Sequence, residues 1–127
     1  MRAALAAGVA AAAFLAPIAS PASPPKVFPN RVQVVAKEFY FALSRRSVPA
    51  GPAIVELVNF GQDEHDLRMQ RVGGAHIAGT PIVEPGDYFD LSITLLPGKY
   101  LLWCSIANHR ALGMQATLIV TPKKPQK

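Results

Sequence analysis

The stretch from Gly98 to Val120 constrains the chain most, because it places the only cysteine in a short loop between two strand-like apolar runs. Cys104 is followed five residues later by His109 and five after that by Met114. A thiolate, an imidazole and a thioether this close in sequence can converge on one soft metal ion. Cys104 then ends one strand and Met114 begins the next, so the strand ends set the span of the loop and His109 lies at its crest. One more imidazole would complete a mononuclear copper site with two His, one Cys and a weak axial Met. His65 is available upstream.

The first residues have the anatomy of an export signal. Arg2 supplies a positive start, Ala3 to Ala16 is an almost unbroken apolar run, and Ser20-Pro21-Ala22 offers small residues at a cleavage point, with Ala19 as a competing one. Residues 1–22 are therefore read as a signal peptide, residues 23–30 as a proline-rich lead-in, 31–121 as one domain and 122–127 as a polar tail. The apolar run is short for a membrane span and Pro17 interrupts it, so the mature protein is expected to carry no span. A periplasmic or extracellular location follows from this reading, with attachment to a membrane surface also compatible. In such a compartment a lone thiol tends to be oxidised or cross-linked unless something occupies it. A metal bond would occupy it.

Removing Arg2 with the signal lowers the formal net charge from +5 to +4. Part of that excess sits in the tail at Lys123, Lys124 and Lys127, and the rest is dispersed, with no basic stripe interleaved with aromatics. Nucleic acid is not an expected partner.

From Arg31 onward, short apolar runs alternate with turn residues. Val32 to Ala36 is rich in β-branched residues, and Phe39, Phe41 and Leu43 alternate with more polar neighbours. Ser47 to Pro52 reads as a turn whose two prolines and glycine oppose regular pairing. Ala53 to Asn59 is a strand with Ala53, Val55 and Leu57 on its inner side, running into the polar loop that delivers His65 and Asp66. Leu67 to Val72 is a weaker strand, and Ala75 to Pro81 reads as loop. Phe89, Leu91, Ile93 and Leu95 give the cleanest alternation in the chain. Tyr100 to Cys104 is apolar on both faces and reads as a central strand, and Ala116, Leu118 and Val120 alternate after the loop. No mature segment has an amphipathic helical repeat. The spacing predicts an all-β, antiparallel sandwich or barrel of about seven or eight strands.

The segment Tyr100 to Val120, together with Val58 to Asp66, resembles the small blue copper proteins, the cupredoxins of the plastocyanin and azurin type. Four residues between Cys104 and His109, and four between His109 and Met114, resemble the longer ligand loops of rusticyanin and auracyanin. The resemblance spans about Val32 to Val120. It implies a Greek-key β-sandwich, one type 1 copper ion, and electron transfer as the role. Residue by residue it makes His65 and His109 the imidazole ligands, Cys104 the thiolate and Met114 the axial thioether. It also places the Asp66 backbone amide where it can donate to the thiolate. The loop reads Ile-Ala-Asn-His where relatives often have Pro-Gly-His, and Asn108 is the non-glycine residue best suited to a left-handed conformation there.

Taken singly, His65 would be an ordinary exposed histidine and Met114 core filler. Their joint placement argues otherwise. His76 falls outside the pattern and is read as a surface residue, Trp103 as packing, and Met69 has no partner motif. The expected role is a monomeric electron carrier that meets redox proteins through the face around His109, framed by Ile106, Ala107, Ala111 and Leu112, with Arg110 steering an acidic partner. Copper buffering or delivery is the alternative. An enzyme is not expected, because multicopper catalysis needs further histidines and the chain has three.

Overall fold

The computed structural model describes residue 8 and residues 10–125, so Arg2, most of the first half of the apolar run, and Lys127 lie outside the described residues. Residues 10–29 join no strand and are exposed throughout. Among the described residues no helix is long and apolar enough to cross a membrane.

Nine strands follow: β1 (Asn30–Lys37), β2 (Tyr40–Leu43), β3 (Ser47–Pro49), β4 (Gly51–Asn59), β5 (Arg68–Arg71), β6 (Ile77–Gly79), β7 (Tyr88–Leu95), β8 (Gly98–Trp103) and β9 (Gln115–Thr121). They form two sheets, of order β2-β1-β4-β7 and β3-β9-β8-β5-β6. The chain passes repeatedly from one sheet to the other, as a Greek-key sandwich requires. The all-β sandwich expected from alternation is the observed architecture.

The alternation becomes a core because period-two side chains of both sheets turn inward. Val32, Val34 and Ala36 of β1 lie beside Val55, Leu57 and Asn59 of β4 in register. With Met69, Tyr100, Leu102, Leu118 and Val120 from the other sheet, the apolar five of these β1 and β4 residues belong to one continuous buried cluster. Cys104 and Met114 are members of the same cluster, so the sulfur donors grow out of the core itself.

Four features differ from the sequence reading. The sheets are mixed, since β1 runs parallel to β4 and β3 parallel to β9. Ser47 to Pro49, read as a turn, is strand β3; it is an edge strand, where a proline can turn its missing N–H away from the ladder. Ile77 to Gly79, read as loop, pairs with β5 at the opposite edge. Tyr100 to Trp103 is central in its sheet, yet Leu101 faces solvent, so only one face is covered.

Burial is steepest in β4, and Leu57 is fully enclosed. Leu57→Ala should lower unfolding stability by about 2–5 kcal/mol through lost transfer energy and a residual cavity. Denaturant unfolding of the purified protein checks this; a loss under about 1 kcal/mol would mean that the site relaxes around the deletion.

Candidate metal centre

One end of the sandwich carries the β1–β2 turn, the β4–β5 loop and the β8–β9 loop, and the four residues singled out from sequence sit on the last two. His65, Cys104 and His109 come together there. One donor atom from each lies within 4.8 Å of the others, and all three residues are buried. Cys104 Sγ is 3.7 Å from His109 Nδ1, and the two imidazole rings meet edge-on with centroids 5.1 Å apart. Bonds of about 2.0–2.3 Å, the range seen for zinc with nitrogen and sulfur, put trigonal donors roughly 3.5–4 Å apart. The cluster is thus close to the spacing a single ion needs. Met114 is fully buried, and its carbonyl accepts the Cys104 N–H at 3.1 Å.

His65 is held on both sides. Its backbone exchanges hydrogen bonds with Val83, at 3.1 and 2.7 Å. Asn59, buried at the end of β4, donates its side-chain amide to the carbonyls of Asp63 and Val83, while its Oδ1 accepts the Gly61 N–H. Downstream, Thr80 Oγ1 accepts the Leu67 N–H and the Thr80 N–H binds Leu67 O. The loop is irregular, but these bonds give its buried backbone groups partners, which helps to keep it in one conformation.

The ligand loop is closed by turns: His109 N–H to Ile106 O, Leu112 N–H to Asn108 O and Met114 N–H to His109 O, each at 3.0–3.1 Å. Its left-handed residue is Ala107, at φ 45°, and Asn108 is not left-handed. The expectation for Asn108 is thereby corrected by one position. Asn108 instead spends its carbonyl on the turn that carries Leu112. Gly113 also needs its freedom, at φ 115° and with Phe39 O about where a side chain would press.

Asp66 joins the two loops. Its buried carboxylate accepts the Ser105 N–H at 2.7 Å and the Ser105 hydroxyl, and it is 3.1 Å from Arg68 Nη2. The residue after His65 is thus tied to the residue after Cys104. Burial pushes the Cys104 thiol above its usual pKa, while the N–H groups of Asp66 and Ile106 pull the other way by favouring the thiolate.

Two residues beside the cluster were not read from the sequence as part of a site. The Phe39 ring packs on His109 with centroids 4.7 Å apart. Glu38, in the β1–β2 turn, accepts the amides of Gln62 and Asp63 at 2.7 and 2.8 Å and lies 3.1 Å from His65 Nε2. The Asp63 amide is the main cause that lowers the Glu38 pKa from its ordinary 4.5 to about 2. A carboxyl depressed in this way contributes stability above pH 4.5 that fades as pH falls toward 2. No local signal marks Glu38, because its partners lie more than twenty residues away.

His76 is exposed and outside the cluster. Trp103 is half-buried with the Arg110 guanidinium over its ring at 4.6 Å, so Arg110 is held against the sheet.

The donor chemistry fits copper. His65 Nδ1 is buried without any hydrogen-bond partner, an arrangement that is costly for a polar nitrogen unless an electron-pair acceptor completes it. Two imidazoles and a thiolate gathered in one cluster are donors that copper tolerates in both oxidation states.

No protein-family model matches the chain, and no curated protein matches it by sequence. Solved structures do. The chain is similar to reduced auracyanin from the photosynthetic bacterium Roseiflexus castenholzii, at 20% identity and TM-score 0.62, over 73% of this chain and 98% of that one. It is similar to reduced rusticyanin at 22% identity and TM-score 0.57, over 75% of this chain and 82% of that one. It also matches part of a blue copper oxidase from Nitrosomonas europaea, at 19% identity and TM-score 0.57, over 78% of this chain but 41% of the oxidase. Two sheets, their crossovers and these neighbours together make the fold that of the cupredoxins.

Proposed function

We propose that this chain is an exported type 1 copper protein that carries single electrons between redox proteins. The observation that carries the reading is the buried His65, Cys104, His109 cluster with the unpartnered His65 Nδ1 pointing to a missing electron-pair acceptor. In this reading His65, Cys104 and His109 form the trigonal set and Met114 the weak axial contact. A bound copper ion would supply a one-electron couple.

The chain's own residues then do three things. Asn59, Asp66 and the turns of the ligand loop hold the donors in place, so that little rearrangement accompanies a change of oxidation state. Phe39, Ile106 and the core beneath keep water from the sulfur. His109 brings the cluster to the surface, at 7% exposure against 0–1% for His65 and Cys104. Around it, Ala107, Ala111 and Leu112 are exposed, and so is Phe60 on the neighbouring loop. A small apolar patch suits partners that meet and part quickly. The docking face is proposed here, with Arg110 beside it as the steering charge. A second copper centre cannot be assembled from histidine within these 127 residues, since His65 and His109 are used and His76 is remote. The chain spans 41% of the oxidase it resembles, and an electron carrier accounts for what it contains. The opening residues, read as a signal, would place it outside the cytoplasm.

Adding Cu(II) to the metal-free protein should produce an intense visible copper-thiolate absorption, and Cys104→Ser should abolish it with the fold retained by circular dichroism. A blue Cys104→Ser protein would refute the assignment. Met114→Leu should keep the colour and raise the reduction potential, because loss of the axial donor destabilises the oxidised ion; an unchanged potential would remove Met114 from the site.

Copper delivery is the competing role, and Leu112→Glu separates the two. As a carrier, the variant should exchange electrons with a partner about tenfold or more slowly, the effect expected of a charge forced into the centre of a docking patch, while copper affinity and potential stay constant. Rapid loss of Cu(I) from the wild type to a chelator, with electron exchange unaffected in Leu112→Glu, would favour delivery instead.

A further inference from the structure

The two histidines of the cluster are supported unequally. His109 has one polar side-chain contact, to Cys104 Sγ, and otherwise packs on Phe39 and His65. His65 faces a carboxylate. Glu38 Oε1 is 3.1 Å from His65 Nε2, and the same oxygen accepts the N–H groups of Gln62 and Asp63. A side chain from the β1–β2 turn is thus plugged into the loop that carries His65. Gly61 is part of the socket, because a Cβ there would stand 2.8 Å from the Glu38 carboxyl carbon. The glycine is needed for close approach, since it is not among the residues with positive φ.

We propose that Glu38 is a positioning residue for the metal centre: it fixes His65 as the Nε2–H tautomer, with Nδ1 as the metal donor, and its charge makes that imidazole a stronger donor to the oxidised ion. The opposite tautomer carries two penalties. It would set the Nε2 lone pair against a carboxylate oxygen and bury an Nδ1–H in a place that offers it no acceptor. The Nε2–H form removes both. It leaves a free lone pair at Nδ1 before any metal arrives, so the site is prepared in the empty protein and loses little side-chain freedom on loading. A hydrogen bond from a metal-bound histidine to a carboxylate raises the basicity of the ring, and loss of such a partner typically weakens metal binding by about 10–100-fold. Extra electron density on an imidazole favours the more highly charged ion. Glu38 therefore lowers the reduction potential relative to a neutral acceptor in the same place.

Glu38→Gln tests the charge while leaving an oxygen for the two loop amides, and Gly61→Ala displaces the carboxylate without altering residue 38. Both should bind Cu(II) about 10–100-fold more weakly than the wild type, with a smaller loss for Cu(I). Each tenfold difference between the two losses appears as a rise of about 59 mV in potential. The tautomer is read separately in the metal-free protein, by nitrogen-15 correlation spectra of the imidazoles. Wild-type His65 should show a slowly exchanging Nε2–H that is lost or exchanges fast in Glu38→Ala.

The potential measurement rests on the copper reading above, whereas the tautomer measurement does not. A wild type that forms no copper-thiolate colour but holds an Nε2–H at His65 would defeat the copper reading and sustain the positioning role. A His65 protonated at Nδ1, or a blue Glu38→Gln protein with the potential of the wild type, would overturn the proposal.

Discussion

Two imidazoles and a thiol removed from water at the end of an apolar sandwich set the terms for everything around them. Each is a polar group whose hydration has been lost, and such a group is stable only when something replaces the water. Cys104 Sγ has the His109 Nδ1 at 3.7 Å, and His65 has Glu38 on one nitrogen and no protein partner on the other. Nor is the concentration of donors a by-product of packing, since apolar residues would fill the same space without that cost. A site of this kind is stable in the folded chain because the sheets beneath it supply a surplus of burial, and because the ion it suits would complete the unpartnered nitrogen.

Rigidity comes from contacts that are short in space and long in sequence. Asp66 reaches Ser105, 39 positions away, Asn59 reaches Val83, 24 away, and Glu38 reaches His65, 27 away. These bonds staple together four connections, those between β1 and β2, β4 and β5, β6 and β7, and β8 and β9. The sheets hold the loop ends at fixed separations, and the staples remove the remaining freedom. For an electron carrier that is the useful arrangement, because each donor must occupy nearly the same place in two oxidation states.

The sequence made the middle of this structure legible and left its edges obscure. Cys104, His109 and Met114 could be read because one loop holds all three, and His65 because histidine is scarce in the chain. The core of β1, β4 and β9 followed from alternation, which directly reports one buried face. Alternation carries no information about strand direction, so the parallel pairing of β1 with β4 went unseen. It weakens at edges too: β7 has the clearest pattern, yet Phe89 is 37% exposed because no strand lies beyond it. Prolines near Ser47 to Pro49 looked like a barrier to pairing, and at an edge they are not. The left-handed position in the ligand loop was assigned by residue preference to Asn108 and belongs to Ala107, since turn hydrogen bonding outweighed the small cost of a left-handed alanine. Glu38 was invisible because a carboxylate that serves a histidine 27 residues away leaves no local trace.

Low identity to the structural neighbours, 19–22%, has a simple physical meaning. A sandwich asks each inward position for an apolar side chain of suitable volume and is nearly indifferent to which one, so sequences can drift far while the sheets persist. The fold is accordingly shared by small chains such as auracyanin and rusticyanin and by one portion of an oxidase, and it cannot by itself decide between carrier and enzyme. What bears on the choice is the few residues for which chemistry allows no substitute. A thiolate, two imidazoles and a thioether suffice for one centre. Catalysis at several linked centres would demand imidazoles beyond the single remaining one, and that one, His76, faces solvent away from the cluster. The count of irreplaceable side chains, more than the shape they hang from, is what supports the carrier reading proposed above.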